Sequence, residues 1–368
     1  MLEEEFDAAD AADDVAADEG IEELDPFAGL SDEEIDALCE QGDGAGIAGS
    51  PESLADGLPG DSLLPISPVE PGFKSGFVAL VGRPNAGKST LLNACMGQKV
   101  AITSPVAQTT RRRLRAVVNR PGCQLVIVDT PGLHKPKDGL GAELNKTALG
   151  EISDVDVIAL VVDASAPFGR GDAWVARHVA EARARKVLVL TKADRANQQV
   201  LQAQMTAASE LVDFDDVVVT SSTEGFNVEA FVEVVSRLLP EGPRWFPEGM
   251  DTDESDEMMV AEFVREKVLL RTQEEVPHAV GVVCDSIEHG KRGLLRLHAT
   301  IYVEREGQKG ILVGKRGEMI RQIGTDARLD LEQALGHRVF LQLEVRVRPN
   351  WRESARDIRA FGYAADDE

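Results

Sequence analysis

Apolar residues along this chain recur in two rhythms. From Phe77 onward, short β-branched runs alternate with stretches whose apolar positions repeat every three or four residues. Phe77–Val81 reads as a short buried strand, and Lys88–Met96 follows as a helix. Leu114–Val118 and Cys123–Asp129 flank Arg120-Pro121-Gly122, a turn signal, and read as paired strands. Val155–Asp163, Val187–Thr191 and Val217–Thr220 are three further strand runs, with helical patterns at about 172–185, 198–212 and 227–239 between and after them. Strands alternating with helices predict an α/β unit: a mostly parallel sheet with helices on both faces, over residues 76–240.

A different pattern follows. Residues 241–257 begin with Gly242, Pro243, Pro247 and Gly249, then turn acidic through Asp251–Glu257, and read as a linker. Met258–Arg271 predicts an amphipathic helix. Val280–Ile287, Leu294–Val303 and Val339–Val347 predict strands, and a long helical stretch runs to about Leu335. Residues 258–363 are therefore expected to form a small α+β domain.

Residues 1–75 fit neither rhythm. They are rich in Asp, Glu, Ala, Gly, Ser and Pro, with only Glu22–Leu30 and Asp32–Leu38 as short helical patterns. Such a composition buries too little apolar area to offset chain entropy, so a disordered acidic extension is expected. Its charge distorts the whole. The net charge is -25 over 368 residues, yet residues 1–70 hold 22 acidic and no basic side chains, which leaves -3 for the rest. The acidity of the tail therefore does not exclude a nucleic-acid partner. No apolar run is long enough to span a bilayer, and the acidic start does not resemble a secretory leader. The four cysteines, Cys39, Cys95, Cys123 and Cys284, have neither zinc nor disulfide spacing, and suit a reducing cytoplasm.

The strongest chemical signal is Gly82-Arg83-Pro84-Asn85-Ala86-Gly87-Lys88-Ser89. It fits G-x-x-x-x-G-K-[S/T] and lies between a strand and a helix, where backbone amides can cradle a phosphate. Lys88 would bridge the β- and γ-phosphates, and Ser89 would hold Mg²⁺. Forty residues on, Asp129-Thr130-Pro131-Gly132 ends a buried strand. Asp129 would act on Mg²⁺ through the outer shell, and the Gly132 amide would sense the γ-phosphate. Thr191-Lys192-Ala193-Asp194 ends another strand. A carboxylate there accepts from the N1 and N2 hydrogens of guanine, which adenine lacks. Ser221 and Ser222 follow the last strand, where a backbone amide would meet the guanine O6.

This order resembles a translation-factor-type GTPase domain, which implies GTP or GDP as ligand. The usual base motif is N-K-x-D; Thr191 replaces its Asn, which removes one expected loop-bracing bond. Between the first two motifs lies Gln108-Thr109-Thr110-Arg111-Arg112-Arg113. In similar GTPases the second threonine reaches the metal, so Thr110 is favoured, with Thr109 as the fallback. The basic run reads equally as a solvated loop or an RNA contact. Ras-like enzymes place a water-orienting glutamine after the Asp-x-x-Gly glycine. Here Leu133 stands there, and packing over the nucleotide is expected of it. In several GTPases with such a hydrophobic substitution, the asparagine equivalent to Asn85 helps bind K⁺, so K⁺ stimulation is expected.

Gly314-Lys315-Arg316-Gly317 lies between the apolar Ile311-Leu312-Val313 and an Arg-rich helix. A G-x-x-G loop in this setting resembles a KH RNA-binding domain, whose loop meets the backbone of four nucleotides. The two halves together resemble the Era family of ribosome-assembly GTPases. The likeness runs from about Phe77 to Tyr363 and includes Asp129–His134, Val303–Lys309 and Val347–Trp351. It implies a GTPase that binds the 3′ end of 16S ribosomal RNA and assists maturation of the 30S subunit. It also implies a cytoplasmic protein with a fraction held weakly at the inner membrane; a monomer is expected. GTP would order residues 101–113 and 130–141 and so set the placement of the two domains. The competing reading is a nucleotide-locked RNA-binding module with negligible turnover.

Overall fold

A computed structural model describes residues 71–136 and 138–364. The expectation of a disordered extension lies outside the described residues up to position 70. Beyond it, Phe73 is buried and Lys74 and Ser75 already belong to the first strand.

Six strands form the first sheet, in the order β2-β3-β1-β4-β5-β6. They are β1 (Lys74–Val81), β2 (Leu114–Arg120), β3 (Cys123–Asp129), β4 (Val157–Asp163), β5 (Arg185–Thr191) and β6 (Asp216–Val219). All neighbours run parallel except β2, which returns antiparallel to β3 across the predicted Arg120-Pro121-Gly122 turn. Strands β3 and β4 are almost wholly buried, as a sheet covered on both faces requires. Helices α1 (Lys88–Met96), α2 (Gly139–Ser153), α3 (Arg170–Glu181), α4 (Gln198–Ser209) and α5 (Val228–Leu238) supply the cover.

Helix α2 was not among the expected elements. Asp138 caps its start by accepting from the Gly141 amide at 2.8 Å. Its stripe at Leu140, Leu144, Ala148 and Ile152 serves two cores. Leu140 and Leu144 pack with Trp351, Ile358, Phe361 and Tyr363 near the C-terminus, whereas Ala148 and Ile152 pack on the first sheet.

The second unit holds helix α6 (Asp256–Arg271), the short α7 (Val276–Ala279), and strands β7 (Gly281–His289), β8 (Leu294–Val303) and β9 (Arg338–Val347). Strand β8 is central, antiparallel to β7 and parallel to β9. Helices α8 (Glu306–Val313) and α9 (Glu318–Leu335) lie between β8 and β9 in the chain, and α10 (Ala355–Ala360) follows. Ile311–Val313 is thus the last turn of a helix, with Leu312 inside and Ile311 half-exposed.

Residues 241–257 are not a loose connection. The Gly242 amide donates to Phe73 O, Trp245 and Phe246 amides donate to the Gln124 side chain, and Val117 N donates to Asp251 O. Thr252 bridges to Ala116 on the sheet's β2 edge. Asp256 and Glu257 already belong to α6, whose N-cap is Ser255. Gly, Pro and acidic composition marks loop here, and says nothing about whether the loop is docked.

Candidate nucleotide site and its link to the second unit

The loop Gly82–Ser89 joins β1 to α1 at the carboxyl ends of the parallel strands, where open α/β sheets bind ligands. Gly87 has φ 96°, a left-handed conformation that turns the loop into the helix. Lys88 is buried beneath the loop and donates to Gly82 O at 3.2 Å and Arg83 O at 3.1 Å. Burial pulls its ammonium down from 10.5 to about 8, against the attraction of Asp129.

Ser89, Thr110 and Asp129 converge. Ser89 Oγ donates to Asp129 Oδ2 at 2.5 Å and lies 2.9 Å from Thr110 Oγ1, which reaches the same carboxylate oxygen at 3.3 Å. Burial raises the Asp129 pKa, against the opposing effect of Lys88. Among the described residues, Asp129 Oδ1 is buried with no hydrogen-bond partner. Two hydroxyls and a carboxylate with an unmatched oxygen are hard donors that fit Mg²⁺. Thr109, the fallback, is spent within its own loop, on Val106 O and Ser104.

Gly132 lies against the loop: a Cβ there would stand 2.5 Å from the Pro84 nitrogen. The adjoining Leu133 amide donates to Gly82 O at 3.1 Å. The Leu133 side chain does not cover the nucleotide. It is 1% exposed and packs in the core with Ala79, Val81, Ala148 and Ile152. Thr130 and Pro131 are buried too, and Thr130 Oγ1 donates to Leu80 O. The Arg83 side chain also turns away from the phosphate position, to pair with Asp172 on α3 at 2.8 Å.

The base end is equally explicit. Thr191 Oγ1 lies 2.6 Å from Ala86 O and 3.1 Å from Val162 O. The hydroxyl therefore braces the phosphate loop in place of the missing amide, so the expected lost bond is made by another group. Lys192 spans Asn85 O and Asp163, and the Ala193 amide donates to Thr220 O. Asp194 accepts from Ser221 Oγ at 2.6 Å, which lowers its pKa. The Ser222 hydroxyl is buried without a partner among the described residues. Asn85, at φ 64°, donates through its side-chain amide to Pro105 O at 2.7 Å.

Two features escaped the sequence reading. His134 Nδ1 lies 3.0 Å from Gly132 O, and its Nε2 lies 2.6 Å from the Gln108 amide. A proton on Nδ1 satisfies both, and the ring ties residues 108 and 132 together. The basic run, moreover, is not simply a solvated loop: Arg111 is buried, Arg112 is half-buried, and only Arg113 is exposed. Arg111 is buried in the second unit, where it donates to Val280 O, Pro277 O and His278 O, the carbonyl end of α7. Burial, then the nearby Arg265, lowers its pKa to about 10. Arg112 donates to Phe361 O and faces the Tyr363 ring; Arg113 pairs with Glu151 on α2. Arg265, on α6, donates to Thr109 O. Lys99 pairs with Glu266 and Asp330, and Ile102 packs in the core of the second unit. Nothing in the local sequence marks these pairings, which, Arg113–Glu151 apart, join residues more than 150 positions apart.

The G-x-x-G loop separates α8 from α9. Gly314 and Gly317 have φ 72° and 71°, Arg316 has φ 54°, and the Lys315 and Arg316 side chains are exposed. A Cβ on Gly314 would stand 2.7 Å from that of Met319, so the chain turns there only with glycine.

Residues 77–192 match the family model described as 50S ribosome-binding GTPase, and residues 275–352 match the KH domain. Two solved structures align over 80% of this chain and 100% of their own, each at 36% identity and TM-score 0.77. One is a point variant of Aquifex aeolicus Era bound to GDP and AlF4⁻; the other is Era with MgGDPNP and nucleotides 1506–1542 of 16S ribosomal RNA. The chain belongs to the Era family. As an Era-family protein it is a GTPase with a KH domain, and it takes guanine nucleotide with Mg²⁺. The family assignment decides for a hydrolysing enzyme over a nucleotide-locked module. No helix among the described residues of this Era-family chain is long and apolar enough to cross a membrane.

Proposed function

We propose that this GTPase binds the 3′ end of 16S ribosomal RNA through its KH domain and assists maturation of the 30S subunit. The observation that carries this reading is the likeness, over 80% of this chain, to Era held with that RNA segment, and the exposed Lys315 and Arg316 on their glycine-framed turn support it. Crosslinking to RNA in cells tests it: bound fragments should concentrate at the 3′ end of small-subunit ribosomal RNA, and enrichment elsewhere would overturn it. The protein acts in the cytoplasm as a monomer, with a minor fraction held weakly at the inner membrane.

The proposed roles follow the geometry. Backbone amides of Gly82–Ser89 hold the phosphates, and Lys88 supplies charge between the β- and γ-positions. Ser89 and Thr110 would hold Mg²⁺ with Asp129 behind them, and the ion would supply positive charge beside the phosphate oxygens. Gly132 donates its amide to the γ-phosphate. Asp194 reads the guanine N1 and N2 hydrogens, with Ser221 and Ser222 at the O6 edge. Leu133, being in the core, cannot orient water. Asn85, which already touches the Pro105 carbonyl, helps bind K⁺ where charge is needed during hydrolysis. Turnover is expected to be faster in K⁺ than in Na⁺, and equal rates in the two salts would remove that role. Because residues 99–113 contact both the nucleotide site and the KH domain, nucleotide state and RNA affinity are coupled, and the coupling must be reciprocal at equilibrium.

A further inference from the structure

We infer that Arg265, in the KH half of the chain, is a positioning residue of the GTPase site, holding Thr110 where it can meet the metal and the γ-phosphate. The inference rests on the role proposed above for Thr110. Thr110 lies between two anchors that the KH half supplies. Before it, the Thr109 carbonyl accepts from Arg265 Nη2. After it, the Arg111 guanidinium is sunk into the carbonyl end of α7. The Thr110 peptide is thus fixed on both sides by residues outside the six-stranded sheet unit.

Arg265 is built for the task. It is fully buried, and its Nε and Nη2 are held by the Glu262 carboxylate one turn earlier on α6, at 3.0 and 2.5 Å. A planar guanidinium locked through Nε and one Nη2 hydrogen by a carboxylate presents the second Nη2 hydrogen in a fixed direction. That direction is the Thr109 carbonyl. The Thr109 side chain adds to the rigidity by bonding Val106 O. A lysine could neutralise Glu262 but could not hold both partners in one plane.

The reaction therefore depends on where α6 stands. Thr110 acts only when Mg²⁺ and the γ-phosphate are present, so loosening it should affect turnover and Mg²⁺ dependence but not the grip on GDP. A merely structural arginine would lower stability and GDP affinity together.

The test is a double-mutant cycle in the full chain: Arg265→Lys, Thr110→Ala and both together. Each is assayed for kcat, the Mg²⁺ concentration giving half-maximal turnover, and GDP affinity. Arg265→Lys should lower kcat roughly tenfold, the weight of a lost hydrogen bond from a charged donor. It should raise the Mg²⁺ requirement and leave GDP affinity unchanged. In the Thr110→Ala background it should add nothing. Equal effects of Arg265→Lys in both backgrounds, or a parallel fall in GDP affinity, would overturn the inference. A Thr110→Ala variant with normal turnover would instead overturn the role given to Thr110. If Arg265→Lys does not fold, Glu262→Gln, which leaves the arginine but loosens its fork, goes through the same cycle with the same outcomes.

Discussion

The molecule carries two glycine-framed loops that each open a helix towards a phosphate, and they are built in opposite ways. In Gly82–Ser89 the lysine is buried, held by loop carbonyls, and faces Asp129. In Gly314–Gly317 the lysine and arginine stand in solvent. The first loop has already buried its lysine before its ligand arrives, so the charge is fixed in place for one nucleotide. The second keeps its charges hydrated, so the grip proposed for it on an RNA backbone must depend on salt.

The largest break in this contrast is Lys88→Met. Nucleotide affinity should fall by about a hundredfold or more, as expected for loss of a desolvated charge-assisted contact. The nucleotide-free protein should melt no earlier, because a buried ammonium is removed. Titration with a fluorescent GDP analogue and a thermal melt read both. Next comes the double reversal Lys315→Glu with Arg316→Glu. RNA affinity should drop roughly thirtyfold, and the slope of log affinity against log salt should shrink by about 1 to 2. GDP binding should not change, and if it did, the two loops would not be independent.

A pH titration sharpens the contrast further. Lys88 loses its proton at about 8 in the nucleotide-free fold, whereas its ordinary value is 10.5. Nucleotide needs the charged form, so GDP affinity should be flat below pH 8 and then fall by up to about tenfold per unit, with proton uptake on binding. For stability the sign is opposite. The lowered value costs the nucleotide-free fold fully below pH 8, and the cost is relieved as pH rises towards 10.5. A GDP affinity flat from pH 7 to 9.5 would show that Lys88 is not desolvated. The smallest effect belongs to Thr191→Ala. It strips the donor from the Ala86 carbonyl and should weaken GDP about fivefold, while Thr191→Asn should restore most of the loss.

The legible parts of this protein were those whose chemistry is local. The phosphate loop, Asp129 at a strand end, Asp194 and the G-x-x-G turn each carry their function within eight residues, and strands β3, β4 and β5 announce themselves as apolar runs. Helix α2 was hidden because Gly139, Gly141 and Gly150 weaken its pattern, and because its apolar stripe serves two cores. Arg111, Arg112 and Arg265 were hidden for a different reason. Arginine is ordinarily a surface residue, and here Arg111 and Arg265 are buried and Arg112 half-buried, each against backbone carbonyls supplied by the other half of the chain. Thr191 misled in the other direction. The family letter is absent, yet the hydroxyl finds the carbonyls that need bracing.

The docked segment 241–252 limits how far the two halves can travel. It is hydrogen-bonded to the β2 edge as far as Thr252, and α6 begins at Asp256. Four residue steps between those points span at most about 14 Å when fully extended. The KH domain is therefore on a short leash. Any swing that carries the start of α6 beyond that reach must first peel the segment from the sheet, and the work of peeling sets a ceiling on how far the two domains can part.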